Sequence, residues 1–245
     1  MALGGVVAVV AVVLGAGLFW FLDDDAPEEV DLDAAAEGVR QGTGPTPADG
    51  PTDRPSEVRS GFQGSWTVDA DTGGFDFESA TGSFVGFRVQ EELVGIGAAT
   101  AVGRTGEVRG SITIEEATLA DATFEVDMTS ITTNERRRDR RVQSALHTDV
   151  HPTASFRLVA PVELGEDAVS AGEVSLNVAG ELTVNGVTRP FTIPIEARLV
   201  GGTIVVVGSA DIAFTDFDVE VPSAPVVVSA EDHGVLELQL LFVRG

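Results

Sequence analysis

A dense arginine cluster is the feature of this sequence best suited to binding chemistry. Five guanidinium groups occupy six consecutive positions in a chain whose formal charge is -24: Arg136, Arg137, Arg138, Arg140 and Arg141. Guanidinium groups bind phosphate oxygens through paired hydrogen bonds, so the cluster could hold a phosphate or pyrophosphate, or touch anionic lipid. The alternative is a solvated helix face whose ion pairs contribute about 0–1 kcal/mol each. At helical spacing the five side chains cannot all point one way.

A second group of polar side chains follows the cluster. His147, Asp149 and His151 alternate along the chain, and alternate residues of a strand share one face, so a metal site is conceivable. Pro152 follows directly, and the loop context makes that geometry unfavourable. The remaining histidine, His233, is remote in the sequence. We therefore interpret these residues as polar loop residues and predict no metal site.

Sequence features of enzymes and of nucleic-acid binders are missing. The chain has no cysteine and no Gly-x-Ser-x-Gly turn of the kind that carries a serine nucleophile. Paired carboxylates such as Asp216 and Asp218 are expected by chance among 39 acidic residues. All 15 basic residues are arginine, and they are too few to present the basic face that a phosphate backbone requires. We predict no catalytic residue, no cofactor and no nucleic-acid partner.

The elements that would position the arginine cluster are mainly strands. Apolar and polar residues alternate with period two from residue 62 to the end of the chain, which is typical of half-buried antiparallel strands. Asn185-Gly186 lies between two such runs and indicates a two-residue hairpin. We predict an all-β fold, a closed antiparallel barrel of about eight strands. Its interior is either filled by side chains or holds one small ligand.

One helix interrupts the strands, within residues 132–147. Thr132 and Glu135 stand at the spacing of a capping box. Val142, Ala145 and Leu146 supply a short apolar face at helical spacing. We expect this helix to cover the barrel or to lie across its mouth.

The N-terminal region divides into two segments. Residues 2–22 are uncharged and long enough to cross a bilayer, so we predict a single transmembrane helix with the barrel on the extracytoplasmic side of the cell membrane. A cleaved signal peptide is the alternative. Residues 23–60 hold 11 acidic residues and five of the chain's 11 prolines, which predicts a disordered acidic linker. Residues 62–245 form the predicted barrel domain, and the oligomeric state is left open.

Five motifs in order resemble a known family. They are Trp66-Thr67-Val68-Asp69, residues 83–89, a run of Ser130-Ile131-Thr132-Thr133 with Arg138-Asp139 and Pro152-Thr153-Ala154-Ser155-Phe156, residues 180–190, and Phe214-Thr215-Asp216-Phe217. Together they resemble the YceI-like family, the polyisoprenoid-binding domain. The resemblance implies a lipocalin-like extended barrel, secreted or periplasmic, that holds an isoprenoid chain in an apolar tunnel and performs no catalysis. The sequence departs from the family pattern between Arg138-Asp139 and Pro152, and at Glu91-Glu92-Leu93, so the tunnel mouth is expected to differ.

The candidate site residues follow from the strand alternation and from the resemblance together. Arg138 matches a family motif, so it is the predicted headgroup ligand, and Asp139 is its predicted companion, which would orient Arg138 or cap a neighbouring loop. Nine apolar residues are predicted to face the tunnel: Val85, Phe87, Val89, Phe124, Val126, Phe156, Val178, Leu182 and Phe191. Alternating apolar residues pack a core whether or not a tunnel exists, so a filled barrel with a structural or interaction role is the alternative. We predict a membrane-tethered protein that binds an amphiphilic, isoprenoid-like lipid as its partner.

Overall fold

Antiparallel strands dominate the computed structural model, which describes residues 26–42, 61–69, 75–79, 81–95, 97–221 and 227–245. The predicted transmembrane segment, residues 2–22, lies outside these ranges. No helix within the described ranges is long and apolar enough to cross a membrane. In chain order the strands are β1 (Gly64–Val68), β2 (Phe84–Leu93), β3 (Gly97–Thr105), β4 (Val108–Glu115), β5 (Thr118–Asp127), β6 (Thr132–Thr133), β7 (Thr153–Leu158), β8 (Val162–Glu163), β9 (Glu173–Val184), β10 (Val187–Val200), β11 (Thr203–Ala213), β12 (Val227–Ala230) and β13 (His233–Arg244).

Eight of these strands close into a barrel. The order around the ring is β1, β4, β5, β7, β9, β10, β11 and β13, and pairing of β13 with β1 closes it. Every pairing is antiparallel, which confirms the predicted all-β, eight-stranded barrel. The predicted hairpin is also confirmed, because β9 and β10 are joined by Asn185 and Gly186, both with positive φ.

Strands β2, β3, β6 and β12 continue the sheet beyond the ring, whereas short β8 pairs with β5. Strand β13 pairs with β1 over Phe242–Arg244 and with β2 over Val235–Gln239, so one edge of β13 serves two neighbours. Strand β3 pairs with β2, and short β6 pairs with β3. The sheet therefore continues beyond the closed ring through β2, β3 and β6.

Within the described ranges, three α-helices lie outside the ring: α1 (Leu32–Gly42), α2 (Arg136–Ala145) and α3 (Glu166–Ala171). Helix α2 is the predicted helix, but its start differs from the expectation. Glu135, rather than Thr132, is the N-cap, and its side chain accepts a hydrogen bond from the backbone N–H of Arg137. Thr133 and Thr132 form β6 instead, because pairing with β3 holds that backbone extended.

The structure differs from the predicted disordered linker over residues 26–42, which we call the N-terminal strap. Helix α1 of the strap buries four residues on one face: Leu32, Ala35, Ala36 and Val39. They pack on the outer face of the barrel, against Val200, Val205, Val207 and Leu241. Their spacing of three, one and three residues is that of an amphipathic helix, and the acidic average composition of residues 23–60 concealed it.

A buried charge cluster fixes the beginning of the strap. Glu237 of β13 is fully buried and accepts hydrogen bonds from Nε of Arg88 (2.9 Å) and Nε of Arg104 (2.7 Å). Arg104 Nη2 also donates to the carbonyl of Glu28 (2.7 Å), and Arg88 Nη2 donates to the carbonyl of Pro27. Buried charges are tolerated when their remaining hydrogen bonds are satisfied, and backbone carbonyls of the strap perform that task here.

Candidate functional site

The barrel contains an apolar cavity of about 270 Å³. All nine residues predicted to face a tunnel line it, together with apolar residues of β4, β11 and β13. Among the described residues that line it, none carries a charged side chain, and the only hydroxyl groups are those of Thr105 and Ser155. The Thr105 hydroxyl is already hydrogen-bonded to Ser130 at 2.6 Å. Apolar cavities of roughly 150 Å³ remain dry and bind small hydrocarbons, so this cavity is suited to an apolar ligand.

Strand periodicity explains why the nine residues meet. Val85, Phe87 and Val89 alternate along β2, and Val178 and Leu182 lie four residues apart on β9, so each set points to one face. Closure of the ring then turns the apolar face of every strand inward. The cavity therefore follows from the same alternation that predicted the strands.

Three lining phenylalanines lie directly against glycines of other strands. A Cβ atom on Gly103 would fall 2.4 Å from the ring of Phe87, and one on Gly110 would fall 2.4 Å from the ring of Phe124. A Cβ atom on Gly180 would fall 2.2 Å from the ring of Phe156. The missing side chains let the rings lie close to the wall. Sequence reasoning did not find these glycines, because their role depends on which residues the strand register places side by side.

Elements outside the ring complete the cavity wall. Val142, Ala145 and Leu146, the predicted apolar face of α2, line the cavity. So do Phe214 and Phe217 of a 3-10 turn that follows β11 (Phe214–Phe217). Helix α2 thus covers the cavity with its apolar face, as the sequence predicted.

The predicted headgroup residues hold α2 in place. Arg138 Nη1 donates to Asn134 Oδ1 (2.8 Å), and Arg138 Nη2 forms an ion pair with Glu91 of β2. Asp139 Oδ1 accepts hydrogen bonds from the backbone N–H (2.8 Å) and the hydroxyl (2.7 Å) of Thr133. Neither residue lines the cavity. The geometry gives both a positioning role, and headgroup binding by Arg138 stays a prediction.

The histidines of the His-x-Asp-x-His sequence do not converge with His233. His147 Nδ1 lies 3.0 Å from Asn185 Oδ1, and Asn185 Nδ2 donates to the carbonyls of Phe217 and Asp218. His233 instead contacts Asp232 and Glu231, and the hydrogen bond with Asp232 raises the pKa of His233. No group of three or more metal-ligating side chains occurs within the described ranges. The arrangement ties the β9–β10 hairpin to the 3-10 turn beside the cavity.

An eight-stranded antiparallel barrel around one apolar cavity is the architecture of proteins that enclose a single small ligand. Residues 75–242 match the profile of the YceI-like domain, and the chain belongs to the YceI-like family.

Relatives of known sequence agree with this assignment. The chain is 32% identical to protein YceI of Escherichia coli over 123 residues, which cover 49% of this chain and 57% of that protein. It is 30% identical to a UPF0312 protein of Vibrio parahaemolyticus over 143 residues, covering 54% of this chain and 71% of that protein. The aligned region thus spans a little over half the length of the Escherichia coli relative.

Two solved structures share the fold. BcnA of Burkholderia cenocepacia superposes with a TM-score of 0.51 at 19% identity, covering 65% of this chain and 95% of that protein. A polyisoprenoid-binding domain from Saccharophagus degradans, implicated in plant cell wall breakdown, superposes with a TM-score of 0.52 at 16% identity. That alignment covers 66% of this chain and 94% of the domain. Both similarities establish the barrel architecture.

Proposed function

We propose that this protein binds the apolar chain of an isoprenoid-like lipid inside its barrel and shields that chain from water. The observation that carries the proposal is the cavity of about 270 Å³, which no charged side chain of the described residues lines. Each CH₂ group removed from water contributes roughly 0.8 kcal/mol, so a hydrocarbon chain needs no polar contact inside the barrel. The name of the Saccharophagus degradans domain gives further support for an isoprenoid.

The function is binding without catalysis. The described lining residues include no charged side chain and no histidine, so beyond two hydroxyl groups they supply neither a nucleophile nor a general base. The competing function, a filled barrel that serves only as a structural or interaction domain, is disfavoured by the open cavity.

Mass spectrometry of bound lipid tests the proposal. The full chain is purified, extracted with organic solvent and compared with Val178→Trp, which fills space at a lining position while keeping it apolar. We expect an isoprenoid lipid from the wild type and a reduced amount from Val178→Trp. Equal lipid content in the two proteins would show that the lipid is bound elsewhere, and the absence of lipid from both would favour the structural role.

We further propose that residues 2–22 tether the barrel to the cell membrane on its extracytoplasmic side. The support is the sequence itself, 21 uncharged and mostly apolar residues followed by Asp23, Asp24 and Asp25. The full chain should remain in membranes after a carbonate wash. A mature protein that begins near Asp23 and is found free of the membrane would replace the tether with a cleaved signal peptide.

A further inference from the structure

Helix α2 has two chemically opposite faces. Its apolar residues line the cavity, whereas four of its arginines are exposed: Arg136, Arg137, Arg140 and Arg141. At about 100° per residue, these four fall within an arc of about 140°, whose centre is nearly opposite that of the apolar residues. The fifth arginine, Arg138, lies outside that arc, in agreement with its ion pair to Glu91. We call the four exposed residues the arginine face.

The arginine face differs from the other described arginines because its guanidinium groups have no hydrogen-bond or ion-pair partner among the described residues. Each other arginine within the described ranges contacts a carboxylate or a backbone carbonyl: Arg40, Arg88, Arg104, Arg109, Arg138, Arg157, Arg189, Arg198 and Arg244. The guanidinium groups of the arginine face make no hydrogen bond and no ion pair with any described residue. In a chain with 39 acidic residues, four adjacent cations without a partner among the described residues are an arrangement that an external anion would stabilise.

The shape of the arginine face indicates an extended anion. Its four guanidinium groups fan across about 140° and along five residue steps, or about 7.5 Å of helix, which is too broad for one phosphate group. A bilayer that contains anionic lipids offers many phosphates in one plane. The net charge of -24 repels an anionic membrane at long range. At 0.1 M salt, however, the Debye length is about 10 Å, so charges farther than this from the membrane are largely screened. The arginines nearest the surface therefore determine whether the protein binds.

We propose that the arginine face of α2 docks on an anionic membrane surface, so that the helix covering the cavity lies at the boundary between water and lipid. This placement puts the cavity wall formed by Val142, Ala145 and Leu146 next to the source of an apolar ligand. Support for docking comes from the arginine face alone. Its use for ligand transfer rests on the lipid-binding function proposed above.

A label on α2 can test the contact. The chain has no cysteine, and Ser144 is exposed and lies, by helical geometry, near the middle of the arginine face. The full chain with Ser144→Cys carries a fluorophore and is combined with phosphatidylcholine vesicles, with or without phosphatidylglycerol, that contain a lipid-attached quencher. A label at Ser175→Cys, exposed on β9, reports on the barrel wall as a control.

We expect quenching at position 144 to be clearly stronger with phosphatidylglycerol than without it, and quenching at position 175 to stay weak in both. Each arginine near an anionic surface contributes about fivefold to binding, so the quenched fraction should fall stepwise as the four are replaced by glutamine. Arg109→Gln and Arg157→Gln, which remove exposed arginines from strands, should leave it unchanged. Raising salt to about 1 M, where the Debye length is about 3 Å, should release the label.

Two results would overturn the proposal. One is equal quenching at position 144 in vesicles with and without phosphatidylglycerol, and the other is persistence of quenching in the fourfold glutamine variant. Lipid content of the cavity is measured separately on the same variants. Loss of quenching with retained lipid would separate membrane docking from lipid binding, and quenching without any cavity lipid would leave docking established while removing the proposed function.

Discussion

At the scale of single residues, glycines decide how much space the cavity keeps. Gly103→Ala should displace the ring of Phe87, since the new methyl group would otherwise lie 2.4 Å from it and its three nearest atoms all belong to that ring. The ring then turns into the cavity, and we expect lower lipid occupancy by mass spectrometry with a stability loss of about 1–3 kcal/mol. Gly38→Ala, where an added Cβ meets nothing within 4 Å, is the matched control. Unchanged occupancy in Gly103→Ala would mean that this wall does not limit the ligand.

Arg138 provides a second test at this scale. Its ion pair with Glu91 predicts that Arg138→Ala loosens α2 and lowers stability by about 1–3 kcal/mol, since a mostly buried carboxylate loses a partner. If Arg138 only positions α2, binding of an isoprenyl phosphate and of a neutral isoprenoid should weaken equally, and Arg138→Lys should recover part of the loss. Titration of both ligands at one ionic strength measures this. A selective loss for the phosphate would instead establish the headgroup role predicted from the sequence.

At the scale of elements, the strap is the feature with the clearest mutational consequence. Ala36 is fully buried between α1 and the barrel, so Ala36→Arg places a charge where it has no partner and should release α1. Limited proteolysis at Arg40 should then accelerate, and the unfolding free energy should fall by several kcal/mol. The exposed Gly38→Ala change on the same helix should stabilise by up to about 1 kcal/mol. Equal proteolysis in both variants would show that α1 contributes little to the fold.

Comparison of the elements shows which features local sequence patterns predict and which they do not. Strand alternation and Asn185-Gly186 predicted the barrel, its hairpin and nine cavity residues, because those features are local in sequence. Helix α1 was missed because four small or apolar residues are diluted by acidic neighbours. The Arg138–Glu91 pair and the contact between Gly103 and Phe87 depend on register between separate strands and helices, and no local pattern specifies that register.

At the scale of the whole molecule, ligand and fold should stabilise each other. A lipid that binds only the folded barrel adds about 2.7 kcal/mol at a hundred times its Kd. For a domain of this size, each kcal/mol shifts Tm by about 2–4 °C, so removing the lipid should lower Tm by about 5–10 °C. Calorimetry of lipid-loaded and delipidated protein measures the shift, and adding isoprenoid back should restore it. Identical Tm values would mean that the cavity lipid does not stabilise the folded barrel.

The contacts of the Pro27 and Glu28 carbonyls with Arg88 and Arg104 determine how long the connection between the predicted membrane segment and the barrel can be. If residues 2–22 span a bilayer, only five residue steps separate Leu22 from the first docked position, and such a segment reaches at most about 18 Å. A domain of this size has a radius of gyration of about 16 Å, which is close to the reach of the connection. The barrel would therefore stay in contact with the lipid surface. Inserting a flexible Gly-Ser stretch before Pro27 should therefore slow lipid exchange with the membrane of origin while leaving lipid affinity in solution unaltered.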